Sequence, residues 1–346
     1  MSSSIIDTFF FAPFAPFMSA VLFWSFQLLV VESMKYGLSK IWNTHTAFCR
    51  FSNFLGILFQ ALAHAAGYTL TGIGVSEFSI SVNDSKVSPK KEKEGFYAWF
   101  ANAFLALGPF FIPPFMVFCI LLASGFIHLN LSKDVTYTFA GMMVQFSSTL
   151  ADLSHGFVKL VASLDLFNPF HLAFLIILIA TGLGIRPSYI EGGAKKLSIL
   201  HDLYMIKNLL VNHPKYLLVV LGTFYLFFLV TYWFRIPLYA MLFSILAFLS
   251  IIAIVSMFFV HFLILILYTS DKLHSYKRFV PIFVPLISYV PLRLVFVNLD
   301  FGLTLSLVLS LLITIVTCVL IIRGVTNKLK RLERLSRSKV RTDERR

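Results

Sequence analysis

Residues 216–234 read YLLVVLGTFYLFFLVTYWF, and residues 301–322 read FGLTLSLVLSLLITIVTCVLII. Neither stretch carries a charge. A helix rises about 1.5 Å per residue, so about 20 such residues cover a hydrocarbon core about 30 Å thick. Similar runs lie at about 9–31, 46–72, 96–127, 169–185, 236–267 and 279–297. The eight together leave little chain for a water-soluble core. The sequence therefore specifies an all-α polytopic membrane protein with about eight transmembrane helices.

Bulk composition agrees. Of the 346 residues, 58% are hydrophobic and 13% charged, against about 25% charged in soluble domains. The chain opens Met-Ser-Ser-Ser, without a basic leader region, and its first apolar run is too long for a signal peptide. We read it as the first membrane helix. Cys49, Cys119 and Cys318 are far apart and show neither metal spacing nor a disulfide framework.

Basic loops stay cytoplasmic. With eight crossings, connections 73–95, 186–215 and 268–278 and the tail from Arg323 hold 22 of the 29 Lys and Arg. That count puts both termini in the cytoplasm. It leaves Lys35, Lys40, Arg50, Lys133, Lys159, Arg235 and Arg293 on the opposite side. Residues 135–164 are apolar but interrupted by Gln145, Asp152, His155 and Lys159, so an amphipathic segment is expected there rather than a ninth span. Asn130-Leu131-Ser132 matches a glycosylation acceptor on the outer side, and Asn83-Asp84-Ser85 matches the same pattern on the inner side.

One ordered set of residues points toward chemistry. The second apolar run contains Gln60-Ala61-Leu62-Ala63-His64-Ala65-Ala66-Gly67-Tyr68. Residues 75–82, Val-Ser-Glu-Phe-Ser-Ile-Ser-Val, alternate apolar and polar side chains as a half-buried strand does. The third run holds Asn102-Ala103-Phe104-Leu105-Ala106-Leu107-Gly108-Pro109, and a later one ends Arg186-Pro187-Ser188-Tyr189-Ile190-Glu191.

This order resembles the site-2-protease-like intramembrane zinc metalloproteases over roughly residues 46–200. The resemblance implies a His-Glu-x-x-His helix, a β segment at the cytoplasmic membrane edge, a small-residue Gly-Pro helix and a Pro-Ser-x-x-Asp element supplying a third ligand. His64 stands at the first histidine. Ala65 replaces the glutamate, Tyr68 replaces the second histidine, and Glu191 stands at the aspartate. Zinc hydrolysis needs three protein ligands and a base for the bound water. A protonated phenol and an alanine provide neither. The resemblance thus implies a catalytically degenerate member with no metal and no cofactor, in which Glu191 approaches His64 or Tyr68. From residues alone, His64 reads first as a neutral histidine hydrogen-bonded to a neighbouring helix, and a vestigial metal or ligand contact is the alternative.

Other features have plainer readings. Arg293 is expected to snorkel to an interface or to pair with Asp300. His261 is expected at a polar rim. Pro281, Pro285 and Pro291 suggest a bent helix. Leu197, Leu200, Leu203, Ile206 and Leu210 give an amphipathic pattern in the basic stretch 195–215. In the tail, Leu329, Leu332 and Leu335 form one stripe, and Lys328, Lys330, Arg331, Arg334 and Arg337 lie around it. Such a juxtamembrane helix suits anionic lipid headgroups. No aromatic interleaves its cations, which disfavours nucleic acid.

The chain divides on this reading into an N-terminal helix and loop (1–45), a protease-like three-helix core with an outer amphipathic segment (46–200), a four-helix bundle (201–322) and a basic cytoplasmic tail (323–346). The expected function is a non-enzymatic membrane protein that binds or shepherds other transmembrane segments. A transporter for a small solute or ion is the alternative, and an active zinc peptidase a more distant one.

Overall fold

The computed structural model describes residues 5–81, 85–91, 95–130, 135–185, 207–208, 211–299 and 303–343. It is built almost wholly of helices: α1 (Phe14–Ile41), α2 (Thr46–Leu70), α3 (Phe96–Ala123), α4 (Phe139–Ala162), α5 (Pro169–Gly184), α6 (Pro214–Phe234), α7 (Leu238–Asp271), α8 (Val280–Asn298) and α9 (Leu303–Asp343). A short π-helical turn, Asp7–Phe11, precedes α1. Between α2 and α3 lie strands β1 (Val75–Ile80) and β2 (Ser85–Pro89), an antiparallel pair in which Phe78 stands opposite Val87 and Ile80 opposite Ser85. The strand foreseen at 75–82 is thus half of a hairpin.

Among the described residues, seven helical stretches are long and apolar enough to cross a membrane, and they coincide with seven of the eight runs read above. The chain is a multi-pass membrane protein. The eighth run forms α5, 16 residues long, or about 24 Å of helix.

Within residues 135–164, Phe139–Ala162 forms α4, an amphipathic helix. Met142, Gln145, Phe146, Thr149, Leu153 and Phe157 are buried along one face, while Asp152, His155 and Lys159 are exposed on the other. At the far end, the last span and the basic tail are one continuous helix, α9. Lys328 is exposed; the side chains of Lys330, Arg331, Arg334 and Arg337 lie outside the description. The 195–215 pattern falls mostly outside the described residues as well.

Residues cluster into two compact units. The first draws on Met1–Tyr36, Ala47–Val161 and Ala173–Val260, and the second on Gly37–Thr46, Ala162–Leu172 and His261–Arg346. In the first, α1 meets α3 through Gln27, whose amide nitrogen donates to the Phe110 carbonyl at 3.0 Å. The Tyr137 hydroxyl donates to the carbonyls of Thr231 and Ile236 and ties the start of α4 to the α6–α7 turn. The Tyr239 hydroxyl donates to the Pro13 carbonyl, and Phe17 packs edge-on against Phe243.

In the second unit, Ile264 lies against Gly37. Just beyond α1, Thr44 Oγ1 donates to Asp271 Oδ2 at 2.6 Å and His45 Nε2 lies 3.0 Å from Asp271 Oδ1.

Candidate functional site

The helix that carries His64 is held on two flanks by small residues. Bare Gly67 lies against the backbone of Ala101 in α3, and a Cβ placed on Gly108 would come 2.5 Å from that of Ala63. Side chains of ordinary size would push α2 and α3 apart. On its other flank, Ser52 Oγ donates to the Leu183 carbonyl of α5 at 3.0 Å, and Gly184 admits the ring of Phe59. The helices at 46–72, 96–127 and 169–185 are therefore joined around α2.

On α2, His64 and Tyr68 are one turn apart and share a face, as their spacing requires. Their rings pack tilted, with centroids 6.0 Å apart. Both are half-buried, as is Ala65. The pair makes a ring contact rather than a hydrogen bond. After Leu70 the chain reverses through Gly72 and Gly74, both at positive φ, which glycine adopts without strain. Their backbone N–H groups close the turn, Gly72 onto the Thr69 carbonyl and Gly74 onto that of Tyr68. Most of β1 is exposed, and Lys86 pairs with Glu77 across the ribbon at 2.7 Å.

Among the described residues, no three of His, Cys, Asp and Glu converge as a metal-binding group. Glu191, with Arg186–Ile190, lies outside the described residues, so its approach to His64 is not part of this geometry.

The densest polar cluster lies elsewhere. Asp165, in the turn between α4 and α5, is 7% exposed and is gripped from two sides. Arg293 of α8 binds it through both nitrogens of a fork, Nη2 to Oδ2 at 2.7 Å and Nε to Oδ1 at 3.0 Å. The Tyr289 hydroxyl, one turn earlier on α8, donates to Oδ1 at 3.0 Å and accepts from the backbone N–H of Leu166. The Phe167 N–H also donates to Oδ1, and the Asp165 N–H meets His171 Nδ1. The Phe167 ring stacks on Tyr289 and lies under the Arg293 guanidinium, 5.1 Å away. The Arg293 hydrogen bonds, helped by those of Phe167 and Tyr289, hold the Asp165 carboxyl at about 2 despite its burial.

Arg293 anchors Asp165; Asp300, the partner expected for it, lies outside the described residues. The sequence did contain a signal. Asp165 stands in Leu164-Asp165-Leu166-Phe167-Asn168-Pro169, a carboxylate at the edge of an apolar run. An intramembrane Arg at i+4 from a tyrosine needs such a partner. Spacing along the chain does not reveal which acid supplies it, 128 residues away.

No protein-family model matches this chain, and no curated protein or solved structure is found to be similar to it.

Proposed function

We propose that this multi-pass membrane protein is non-catalytic and receives membrane segments of other proteins alongside α2 and the β1–β2 hairpin. The observation that carries the reading is the arrangement about α2. Two helices hold it by small-residue contacts, and it then delivers an exposed two-stranded ribbon at its end. A two-stranded sheet leaves an outer edge on each strand, and such edges pair with extended segments. Leu70, Phe78 and Tyr97 present apolar side chains around this end of α2, matching the junction between a guest helix and the strand beyond it.

The lack of hydrolysis follows from chemistry. Ala65 supplies no base and Tyr68 no zinc ligand at neutral pH. The resemblance to degenerate intramembrane metalloproteases supports the same reading: loss of zinc removes cleavage and keeps the groove. The basic end of α9 meets anionic headgroups of the cytoplasmic leaflet, each cation contributing about 1 kcal/mol near the surface.

A photoreactive residue at Phe78 tests this in proteoliposomes that contain a synthetic transmembrane peptide with a short extended flank. The expected result is an intact adduct with that peptide, and none with the flank alone. Absence of the adduct would overturn the docking. Cleaved peptide in the presence of zinc would overturn the claim that the protein is non-catalytic.

A further inference from the structure

The connection between α7 and α8 is very short. α7 ends at Asp271, and the apolar segment that contains α8 begins at Ser275. Only Lys272, Leu273 and His274 separate two segments that are each long and apolar enough to cross a membrane, so the connection lies at the membrane–water interface. It is a closed loop. The Ser270 hydroxyl donates to the Arg278 carbonyl at 2.5 Å, and the N–H groups of Lys272 and Leu273 return to the carbonyls of Thr269 and Ser270. Ser275 takes a positive φ, uncommon for a residue with a side chain, and turns the chain into Tyr276-Lys277-Arg278-Phe279.

Loop closure confines three cations to one short piece of surface. Lys272, Lys277 and Arg278 are all exposed, and among the described residues none has a carboxylate partner. The loop's own acid, Asp271, is engaged by Thr44 and His45. Tyr276 and Phe279 are exposed beside the cations. Lys272 Nζ stands 4.8 Å from the centre of the Tyr268 ring, and the Arg278 guanidinium 5.0 Å from that of Phe279. Aromatic rings favour the headgroup level of a membrane, and here they hold cations there. α9 returns to the same end. Its Ser310 bonds to Ser288 and to the Pro285 carbonyl, so it runs back along α8, and its Cys318 thiol meets the Thr269 hydroxyl. Arg323 follows on α9, exposed, and adds positive potential on this side.

We propose that the α7–α8 loop binds an anionic phospholipid whose headgroup carries more than one phosphate. Lys272, Lys277 and Arg278 are the phosphate contacts, the guanidinium offering a fork that suits phosphate oxygens. Tyr276 and Phe279 sit in the headgroup layer, a role that a free phosphate would leave empty. Three cations without acidic partners exceed the single net charge of phosphatidylserine and match a bisphosphorylated headgroup. The site is separate from whatever α2 and the hairpin receive, and from the diffuse attraction of the α9 tail.

The test measures binding of fluorescent phosphatidylinositol bisphosphate to the purified full chain in mixed micelles. Wild type should bind it saturably, at about one lipid per chain, and more weakly as salt rises. Phosphatidylserine at matched total charge should compete poorly. Lys277→Gln with Arg278→Gln should weaken binding by at least about tenfold, since each cation near a headgroup contributes substantially. Its unfolding midpoint without lipid should match wild type, because both side chains are exposed. The same charge change in the tail, Lys330→Gln with Arg331→Gln, should weaken binding by less than about threefold. Equal losses in the two double variants, or equal competition by phosphatidylserine, would reduce the loop to general positive charge and overturn the site. So would wild-type affinity in the Lys277→Gln, Arg278→Gln variant.

Discussion

The His64–Tyr68 face of α2 and the Asp165–Arg293 cluster are opposite cases of a polar group in an apolar chain. The first is conspicuous in sequence and sparse in structure: two rings in tilted contact, 6.0 Å apart. The second is inconspicuous in sequence and dense in structure, with one carboxylate serving a guanidinium, a phenol and a backbone N–H. A motif is legible because its residues are neighbours along the chain. An ion pair formed across 128 residues depends on which helices fold beside each other. The conspicuous residues are therefore free to be dispensable for stability, and the inconspicuous ones are not.

The largest expected effect follows directly. Asp165→Asn keeps the shape of the side chain but removes the charge that the half-buried Arg293 fork faces. Leaving one partner of such a pair unmatched is more damaging than never having had the pair. The thermal midpoint should fall by at least about 5 °C, given roughly 2–4 °C per kcal/mol for chains of moderate size. His64→Ala should move it by less than about 2 °C, because the ring is half-buried and makes one ring contact. Comparable falls in the two variants would erase the contrast.

Acid should separate the regions next. The Asp165 carboxyl lies at about 2 in the folded protein, against about 4 when unfolded. Its folded value is depressed, so its contribution is complete above about pH 4 and is lost as pH falls toward 2. Midpoints at pH 5, 4 and 3 should therefore converge between wild type and Asp165→Asn as the pH drops. A constant gap down to pH 3 would assign the stabilisation to shape rather than charge.

Metal analysis bears on the α2 face. With Ala65 and Tyr68 in place, purified protein should carry far less than one zinc per chain. About one zinc per chain, lost in His64→Ala, would convert the face into a working site. A weaker effect is expected at the far end of α9. Ending the chain after Arg323 should reduce binding to vesicles containing phosphatidylserine at low salt and leave the unfolding midpoint nearly unchanged, since a polar, highly charged terminus contributes little to packing. Undiminished vesicle binding would remove the electrostatic role.

The membrane character, the amphipathic nature of α4 and the strand after α2 were legible because each rests on local periodicity. The hairpin partner β2 was not, because Ser85-Lys86-Val87-Ser88-Pro89 is short, polar and ended by proline. It forms a strand through pairing with β1 rather than through its own preference. The docking of α5 was not legible for a related reason: Gly182 lies against Ser256 and Gly184 against Phe59, contacts that no window of sequence contains.

The smallest effect is the most discriminating for the α2 face. His64 and Tyr68 touch only as tilted rings, and such aromatic pairs are worth about 0.5–1.5 kcal/mol beyond area burial. A partly exposed pair belongs near the bottom of that range. A double-mutant cycle of His64→Ala and Tyr68→Phe keeps the Tyr68 ring in the single variant and removes only its hydroxyl. If the rings merely pack, the phenol oxygen is irrelevant to His64, and the coupling should be under about 0.5 kcal/mol, the usual limit of additivity. A coupling of about 2 kcal/mol would mean that the hydroxyl and the imidazole share a third group, as members of one hydrogen-bond network do. Glu191 is the carboxylate that the degenerate motif would supply there, so repeating the cycle in Glu191→Gln decides the matter. Collapse of the coupling in that background would show that the old ligand positions still meet. A small coupling in both backgrounds leaves His64 and Tyr68 as packing residues on a helix whose role lies at its edges.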